Sequence, residues 1–240
     1  MAQVKTALIT GAAQRIGSEI ALELHRAGFD IALHYRSSDA QAQHLAQQLN
    51  TARTDSCQLF SADLTNLGDV QRLGGEIVGR YRSLDLLVNN ASGFEPTPIQ
   101  SCSEAAFDAM LASNLKGPYF LIQSLLPALQ STGGAIVNIL DVHVEQPLPD
   151  FNAYCAAKAG LASLTRTSSV MSIFGYSGKG SGAACWLEPN RPRLSCSCST
   201  APGRWHGNWT PTIRRFRSSA WRWACWRHWW SRSRACWCYT

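Results

Sequence analysis

Hydrophobic and polar positions along the first 170 residues follow an alternating pattern of strands and helices. Short apolar runs, typical of strands buried on both faces, lie at 6–10, 30–35, 57–62, 84–90 and 134–140. Between them apolar residues recur at helical spacing, as at Ile16, Ile20 and Leu24. Further helices are predicted over 40–49, 67–77, 104–129 with a bend near Gly117-Pro118, and 154–167. Repeated strand–helix units predict an α/β fold, a Rossmann-type doubly wound parallel sheet of five strands in a three-layer arrangement.

This pattern stops near residue 170. Residues 171–240 contain all nine tryptophans and six of the nine cysteines, but only four branched aliphatic residues. The net charge is −4 over 1–170 and +10 over 171–240, so the overall +6 is the sum of two segments of opposite charge. We therefore predict a catalytic core at 1–170 and an anomalous tail at 171–240 that is not an independent domain. The sheet is expected to be incomplete after strand five, with an unpaired edge there.

Three interpretations of the tail compete. It could be a basic, aromatic appendage that binds nucleic acid or a membrane, but its Trp and Arg residues lack regular spacing. It could hold a metal, although its cysteines include Cys196-x-Cys198 and Cys236-x-Cys238 and no C-x-x-C. We favour a shifted reading frame, because a CTG leucine codon that is read one base late and followed by G or C gives tryptophan or cysteine. We expect no metal and no nucleic acid as a partner, and we expect poor stability and weak activity.

The cellular compartment is predicted from targeting signals, membrane spans and cysteine usage. The N-terminus has only a short apolar run before a glycine-rich turn, which does not indicate a signal peptide. No run of about eighteen apolar residues predicts a membrane span. Nine cysteines is an odd number and argues against a disulfide framework. A cytoplasmic protein is expected.

A glycine-rich turn follows the first predicted strand, in "TGAAQRIG" at 10–17. Gly11 would allow a tight turn and Gly17 a close approach of helix and strand, so that free amides at the helix start face a phosphate. Arg15 stands where such turns often have a small residue, and it could pair with a cofactor phosphate or with substrate. The alternatives are an ordinary turn and a solvated charge.

The ends of the next strands carry further candidate contacts for a dinucleotide. Tyr35, Arg36 and Ser37 stand where NAD-binding folds often place an acid, and a guanidinium with a hydroxyl favours the 2′-phosphate of NADP. Asp63 could accept a hydrogen bond from adenine, or it could simply cap the next helix. Small residues at Ala91 and Ser92, in "NNAS" at 89–92, would let the backbone approach the cofactor.

Tyr154 and Lys158 are four residues apart on a predicted helix and so share one face. A free tyrosine titrates near 10, and a neighbouring ammonium favours the phenolate and lowers its pKa toward the working range of a catalytic acid. Asp141 lies thirteen residues before Tyr154, at the end of the fifth predicted strand. The segment therefore predicts a proton donor with a cationic helper and a carboxylate.

Together "TGAAQRIG", "NNAS", "NLKGPYF" and "YCAAK" resemble the short-chain dehydrogenase/reductases. Four features are similar to the pteridine reductase branch: Arg15, "HYRSS" at 34–38, "NNASGFEPTP" at 89–98, and Asp141 where most relatives have a serine. The resemblance covers about residues 4–168. It implies reduction of a dihydropterin or related pteridine by NADPH, in a homotetramer.

The resemblance also implies roles for individual residues. Tyr154 would supply the proton, Lys158 would hold the ribose, Asp141 would relay the proton, and Asn114 would anchor a water relay. Phe94 would stack on the pterin, and Arg15 and Ser92 would contact substrate and cofactor. The cofactor contacts are expected at Gly11, Arg15, Ile16, Gly17, Tyr35, Arg36, Ser37, Asp63, Leu64, Asn90, Ala91, Ser92, Tyr154 and Lys158. A carbonyl or 3-oxoacyl reductase, or a compromised nucleotide-binding remnant, is the alternative.

Overall fold

The computed structural model of the chain describes residues 4–170, 183–187, 194–198 and 238–239. Its helices are α1 Arg15–Arg26, α2 Asp39–Ala52, α3 Leu67–Tyr81, α4 Glu104–Leu111, α5 Gly117–Thr132 and α6 Asn152–Val170. Its strands are β1 Thr6–Ile9, β2 Asp30–Tyr35, β3 Cys57–Ser61, β4 Leu86–Asn89, β5 Ala135–Ile139, β6 Ala183–Leu187, β7 Leu194–Cys198 and β8 Cys238–Tyr239. A π-helical turn at Ala112–Lys116 joins α4 to α5, and a 3₁₀ turn at Val142–Val144 follows β5.

The first five strands form one parallel sheet in the order β3-β2-β1-β4-β5. Strand order reverses between β1 and β4, and a ligand in a doubly wound fold binds in the crevice outside the carboxyl ends of the strands at this point. The predicted Rossmann-type α/β fold is confirmed, since strands and helices alternate along the chain as the hydrophobic pattern indicated.

Alternate residues of the central strands supply two cores, one on each face of the sheet. Ile9 and Leu33 belong to the core beneath α1 and α2, whereas Leu8 belongs to the core beneath α3 and α5. Both kinds of position are fully buried, and burying a side chain of this size contributes about 1.5–3 kcal/mol. Apolar residues on both faces explain why these strands appear in the sequence as continuous apolar runs.

The predicted helix over 104–129 is two helices. The interruption is the π-helical turn at 112–116, and α5 begins at Gly117 with Pro118 in its first turn. A β-carbon on Gly117 would lie 2.5 Å from the carbonyl oxygen of Leu64, so only glycine fits this close approach. The expected bend near Gly117-Pro118 is therefore a change of helix type that begins five residues earlier, a feature that apolar periodicity does not indicate.

Beyond α6 the structure describes three short strands. β6 and β7 pair antiparallel with each other, and β8 pairs antiparallel with β5 through Asn138 and Ile139. The expectation of an unpaired edge at strand five is thus wrong over these two positions. No parallel strand follows β5 in the described part of the chain. The remaining residues of the tail, on which its interpretations depend, lie outside the described residues.

Within the described ranges, no helix is both long enough and apolar enough to cross a bilayer.

Candidate active site

The candidate residues converge at the carboxyl edge of the parallel sheet. The glycine-rich turn follows β1, the segment 90–98 follows β4, and Asp141 follows β5. Because β1, β4 and β5 are neighbours in the sheet, the loops after them meet at one edge.

Two glycines of the turn are required by its geometry. Gly11 has φ +61°, and a β-carbon on it would lie 3.0 Å from the Cα of Ala91. A β-carbon on Gly17 would lie 2.3 Å from the carbonyl oxygen of Gly11, so a side chain there would displace the turn. The turn and the loop after β4 are therefore packed backbone to backbone.

The start of α1 differs from the starts of α3 and α4. The side chains of Asn66 and Ser103 cap α3 and α4, whereas among the described residues no side-chain hydrogen bond caps α1 at Gln14. The first residue of α1 is Arg15, whose φ of 57° lies in the left-handed region that a non-glycine residue rarely adopts. Arg15 and its neighbour Ile16 are both exposed at this edge. A helix start with amides uncapped by a side chain attracts an anion.

Thr10 and Asn90 join the turn to the loop after β4. The Thr10 hydroxyl oxygen accepts the backbone N–H groups of Asn90 and Ala91, at 2.9 and 3.0 Å. In return the Asn90 side-chain amide donates to the carbonyl oxygens of Thr10 and Gly11, at 2.9 and 3.1 Å. These bonds direct the Asn90 amide nitrogen to the protein backbone, and its expected contact with the cofactor stays a prediction. Thr10 was missed, although it is the residue that precedes the first glycine.

The end of β2 presents Arg36 and Ser37, which are exposed, and Tyr35, which is half-buried. A hydrogen bond to the Asp39 carboxylate raises the pKa of Tyr35. Asp39 is the first residue of α2, and its carboxylate also accepts from the Gln43 side chain at 3.1 Å. The first acid after β2 is therefore engaged by α2 and by Tyr35.

Asp63 and Leu64, the two adenine contacts predicted at the end of β3, have different surroundings in the structure. The Asp63 carboxylate accepts from the backbone N–H and the hydroxyl of Thr65, at 2.9 and 2.8 Å. The alternative that Asp63 caps the next helix is wrong, because Asn66 caps α3. The Leu64 side chain is buried in the core beneath α3 and α5, which leaves its backbone as the part that can contact a ligand.

Asp141, Tyr154 and Lys158 are brought together as their spacing predicted. The Tyr154 hydroxyl donates to Oδ2 of Asp141 at 2.7 Å. The Lys158 ammonium lies 5.8 Å from the centroid of the Tyr154 ring and donates to the carbonyl oxygen of Ile139 at 2.9 Å. Tyr154 and Lys158 are 4% and 3% exposed, so the ammonium acts at short range in a poorly solvated setting.

A fourth residue, His143, contacts this group, and the sequence indicated no role for it. Oδ1 of Asp141 accepts the backbone N–H of His143 at 3.1 Å, and the imidazole Nε2 lies 3.9 Å from the same oxygen. Nδ1 of the ring is 2.9 Å from the carbonyl oxygen of Gln146, which requires the proton on Nδ1 when the ring is neutral. Both oxygens of Asp141 are thus held, one by the 3₁₀ turn and one by Tyr154.

Asn114 lies in the π-helical turn between α4 and α5. Such turns often mark functional positions. Its side-chain oxygen accepts from the Ser92 hydroxyl at 2.7 Å, and its amide donates to the carbonyl oxygens of Gly93 and Met110, both at 3.0 Å. The predicted role was a water relay to Lys158. That role stays a prediction, and the contacts show that Asn114 also holds the loop after β4 against the π-helical turn.

Phe94 forms an aromatic cluster with Tyr154 and with Phe151, which the sequence analysis missed. The Phe94 and Phe151 rings stack with centroids 4.4 Å apart, and Phe94 meets Tyr154 edge to face at 4.8 Å. Phe94 is nevertheless 49% exposed. An aromatic residue three positions before the tyrosine was the available signal for Phe151.

Thr97, also missed, ties this aromatic cluster to the start of α6. Its hydroxyl oxygen accepts the Ala153 N–H at 3.0 Å, and its carbonyl oxygen accepts from the Asn152 side chain at 3.2 Å. Its own N–H donates to the carbonyl oxygen of Asp150 at 2.6 Å. Thr97 is 2% exposed, so these bonds are shielded from water. The helix that carries Tyr154 and the loop that carries Phe94 therefore form one unit.

The sequence of the chain is similar to those of several known proteins. The sequence model of the short chain dehydrogenases matches residues 5–171. The chain is 34% identical over 203 residues to pteridine reductase 1 from Leishmania tarentolae, covering 68% of this chain and 70% of that protein. It is 32% identical over 169 residues to a 3-oxoacyl-(acyl-carrier-protein) reductase from Staphylococcus aureus, covering 70% and 68%. It is 32% identical over 166 residues to sorbitol dehydrogenase from Cereibacter sphaeroides, covering 68% and 63%.

Proposed function

This chain belongs to the short-chain dehydrogenase family, and we propose that it reduces a dihydropterin or a related pteridine with NADPH. The relatives it matches are reductases and a dehydrogenase, which supports an enzyme of the oxidoreductase class. The pterin substrate and the choice of NADP rest on the geometry of the site and on the similarity to pteridine reductase 1.

The observation that carries the proposal is the 2.7 Å hydrogen bond between the Tyr154 hydroxyl and the Asp141 carboxylate. A serine hydroxyl at position 141 could hydrogen-bond a substrate carbonyl. A carboxyl group can in addition carry a proton, and it can accept hydrogen bonds from the N–H groups that a pterin presents and a simple ketone lacks. Asp141 therefore supports pterin chemistry over simple ketone reduction.

The residues of the site then have distinct tasks. A bound nicotinamide cofactor supplies the hydride. Tyr154 donates its hydroxyl proton to the substrate, and the Lys158 ammonium stabilises the phenolate that remains. Asp141 relays a proton from solvent back to the phenolate, which reverses the direction of the Tyr154–Asp141 hydrogen bond. One proton and one hydride are consumed in each turnover, and the charge on the protein is restored.

The dinucleotide is held by the ends of β1, β2 and β4. The helix start at Arg15, uncapped by a side chain, suits a phosphate. The exposed guanidinium of Arg36 and the hydroxyl of Ser37 suit the 2′-phosphate of NADP, and Asp39, engaged by Tyr35 and by α2, does not compete for the ribose. The small side chain of Ala91 allows the loop after β4 to pack against Gly11, which supports a close approach of the backbone to the cofactor.

Phe94 supplies the surface on which a flat heterocycle stacks. Half of its surface is exposed, and Phe151 supports the ring from one face while Tyr154 meets it at 84°. A planar bicyclic substrate gains stacking energy on such a ring that a short aliphatic ketone does not.

The substrate class is tested by following NADPH absorbance with dihydrobiopterin, dihydrofolate and an acetoacetyl thioester. We expect turnover of the pterins and little of the thioester; the reverse preference would show that the pterin proposal is wrong. Asp141→Asn keeps a hydrogen-bond acceptor for Tyr154 but cannot carry a proton, so kcat should fall with little change in KM. Glu145→Gln, which alters an exposed acid four residues away, is the matched control.

The second candidate is a 3-oxoacyl or other carbonyl reductase, favoured by the 32% identity to the Staphylococcus aureus enzyme. Asp141→Ser places at position 141 the residue that most relatives carry. If the second candidate is correct, this variant should retain or gain thioester reduction, whereas under the pterin proposal it should lose pterin turnover. NADPH binding without turnover of any substrate would support the compromised remnant.

The homotetramer is also a proposal. Exposed Phe107 on α4 and Tyr119 on α5 support association, because large apolar side chains exposed on neighbouring helices favour contact with another subunit. Light scattering of the full chain tests this, and a monomer at all accessible concentrations would contradict it.

A further inference from the structure

His34 lies inside the sheet, at the fifth position of β2, and only 2% of its surface is exposed. Its Nδ1 accepts the backbone N–H of Gly11 at 3.1 Å, and its Nε2 lies 3.1 Å from the carbonyl oxygen of Ala62. The backbone carbonyl of His34 accepts the N–H of Ala12 at 2.9 Å. One residue of β2 thus contacts the turn after β1 twice and the loop after β3 once.

These partners determine the protonation state of the ring. The Gly11 amide can only donate, so Nδ1 must carry a lone pair, and the Ala62 carbonyl can only accept, so Nε2 must carry the proton. An imidazolium would place an N–H on Nδ1 against the N–H of Gly11. Burial lowers the pKa of His34 to about 4, which agrees with a neutral ring. The neutral Nε2–H tautomer is the form that satisfies both neighbours.

The contacts also determine which amides of the turn can meet a phosphate. The amide protons of Gly11 and Ala12 are both used by His34, one by its ring and one by its carbonyl. The phosphate is therefore directed toward the amides further along, at the start of α1. Ala62 precedes Asp63 and Leu64, so the other end of the ring holds the loop expected to lie beside adenine.

We propose that His34 is a positioning residue of the nucleotide site, whose neutral ring ties the phosphate turn to the adenine loop. Neither the turn motif nor the acid-or-arginine position after β2 includes this residue. The proposal rests on the proposed binding of a nicotinamide dinucleotide. It requires that the two halves of the site be fixed relative to each other before the cofactor arrives, which reduces the ordering cost of binding.

The ring itself can be observed in the full-length protein. Nitrogen-15 NMR of the His34 ring should show an unprotonated Nδ1 and a protonated Nε2 throughout pH 6–8, and the Gly11 amide should be protected from exchange. The opposite tautomer, or an unprotected Gly11 amide, would overturn the proposal. This measurement needs neither a substituted chain nor a substrate.

Two substitutions separate the two contacts. The side-chain oxygen of His34→Asn can occupy the place of Nδ1 and accept from Gly11, whereas the side-chain nitrogen of His34→Gln can occupy the place of Nε2 and donate to Ala62. Gly11 amide protection should therefore be lost in the Gln variant and kept in the Asn variant. His44→Gln, which replaces an exposed histidine of α2, is the matched control and should change neither.

NADPH titration by fluorescence measures the consequence for binding. Loss of one hydrogen bond should raise the Kd about tenfold in either variant, and His34→Ala should raise it by on the order of 100-fold. An unchanged Kd in His34→Ala would overturn the positioning role. If the wild-type chain bound no NADPH, the proposed function would fail, and the state of the Gly11 amide in the variants would then decide the His34 proposal alone.

Discussion

Acidification should destabilise this chain through His34. The ring titrates near 6.5 in the unfolded chain and at about 4 in the folded chain, because burial disfavours the imidazolium. Since the folded pKa is the lower one, the unfolded state binds the proton first as the pH falls. The stabilisation contributed by neutral His34 is therefore complete above pH 6.5 and is lost progressively between pH 6.5 and 4.

The size of this effect follows from the shift. Each pH unit of difference corresponds to about 1.4 kcal/mol, so the interval from 6.5 to 4 corresponds to a loss of about 3 kcal/mol in the free energy of unfolding. A domain of ordinary stability has only about 5–15 kcal/mol, so the loss is a substantial part of the total. Burial also lowers the pKa of His25, which adds to the acid sensitivity in the same direction.

Urea denaturation at a series of pH values measures this dependence. The wild-type chain and His44→Gln should lose stability steeply between pH 6.5 and 4, whereas His34→Gln should be less stable at pH 7 and show a shallower loss. Comparing slopes between variants removes the contribution of His25 and of the carboxylates. An equal slope in wild type and His34→Gln would refute the assignment of a buried, neutral His34.

Four further outcomes are expected. Thr97→Val removes the hydroxyl that accepts the Ala153 N–H at the start of α6. In urea titration it should lower the free energy of unfolding by about 1–3 kcal/mol, and in a turnover assay it should lower kcat. Thr97→Ser keeps the hydroxyl and should recover kcat. Gly17→Ala should abolish NADPH binding, because its β-carbon would lie 2.3 Å from the carbonyl oxygen of Gly11. Gly75→Ala, which faces open space on α3, is the control and should raise the free energy of unfolding by about 0.5–1 kcal/mol. Arg36→Ala should weaken NADPH binding about tenfold and leave NADH binding unchanged, with Arg26→Ala as the surface control. The nucleotide sequence near codon 170 should restore the family pattern in another frame, and a gene without such a frame would contradict the interpretation of the tail.

Much of the site could be predicted because its chemistry lies close together in sequence. Tyr154 and Lys158 lie one helical turn apart, so periodicity alone places them on one face. Asp141 follows the fifth apolar run, and the parallel sheet brings it to the same edge. Thr10, Thr97 and His143 escaped because they act through hydrogen bonds to backbone groups, and single polar residues in loops carry no pattern.

Other side chains have contacts that the sequence did not indicate, because a single position has several possible partners. The Asn90 amide donates to Thr10 and Gly11, which are distant in sequence and lie on the neighbouring strand end, and its expected contact with a cofactor stays a prediction. Asp63 was expected to contact adenine or to cap the next helix. Asn66 makes that cap, the Asp63 carboxylate closes a local turn with Thr65, and the adenine contact stays a prediction. The hydrogen-bond partner of each side chain depends on which donor or acceptor lies nearest after folding, and packing decides that.

The sequence by itself determined the order of strands and helices, the two-sided burial of the sheet and the pairing of Tyr154 with Lys158. These features depend on interactions between residues near in sequence and on alternation along a strand. The tertiary structure alone decided that helix 104–129 breaks at a π-helical turn, that Thr97 holds α6, and that His34 joins two loops. The physical reason is that a buried donor or acceptor takes whichever partner the assembled sheet brings within about 3 Å.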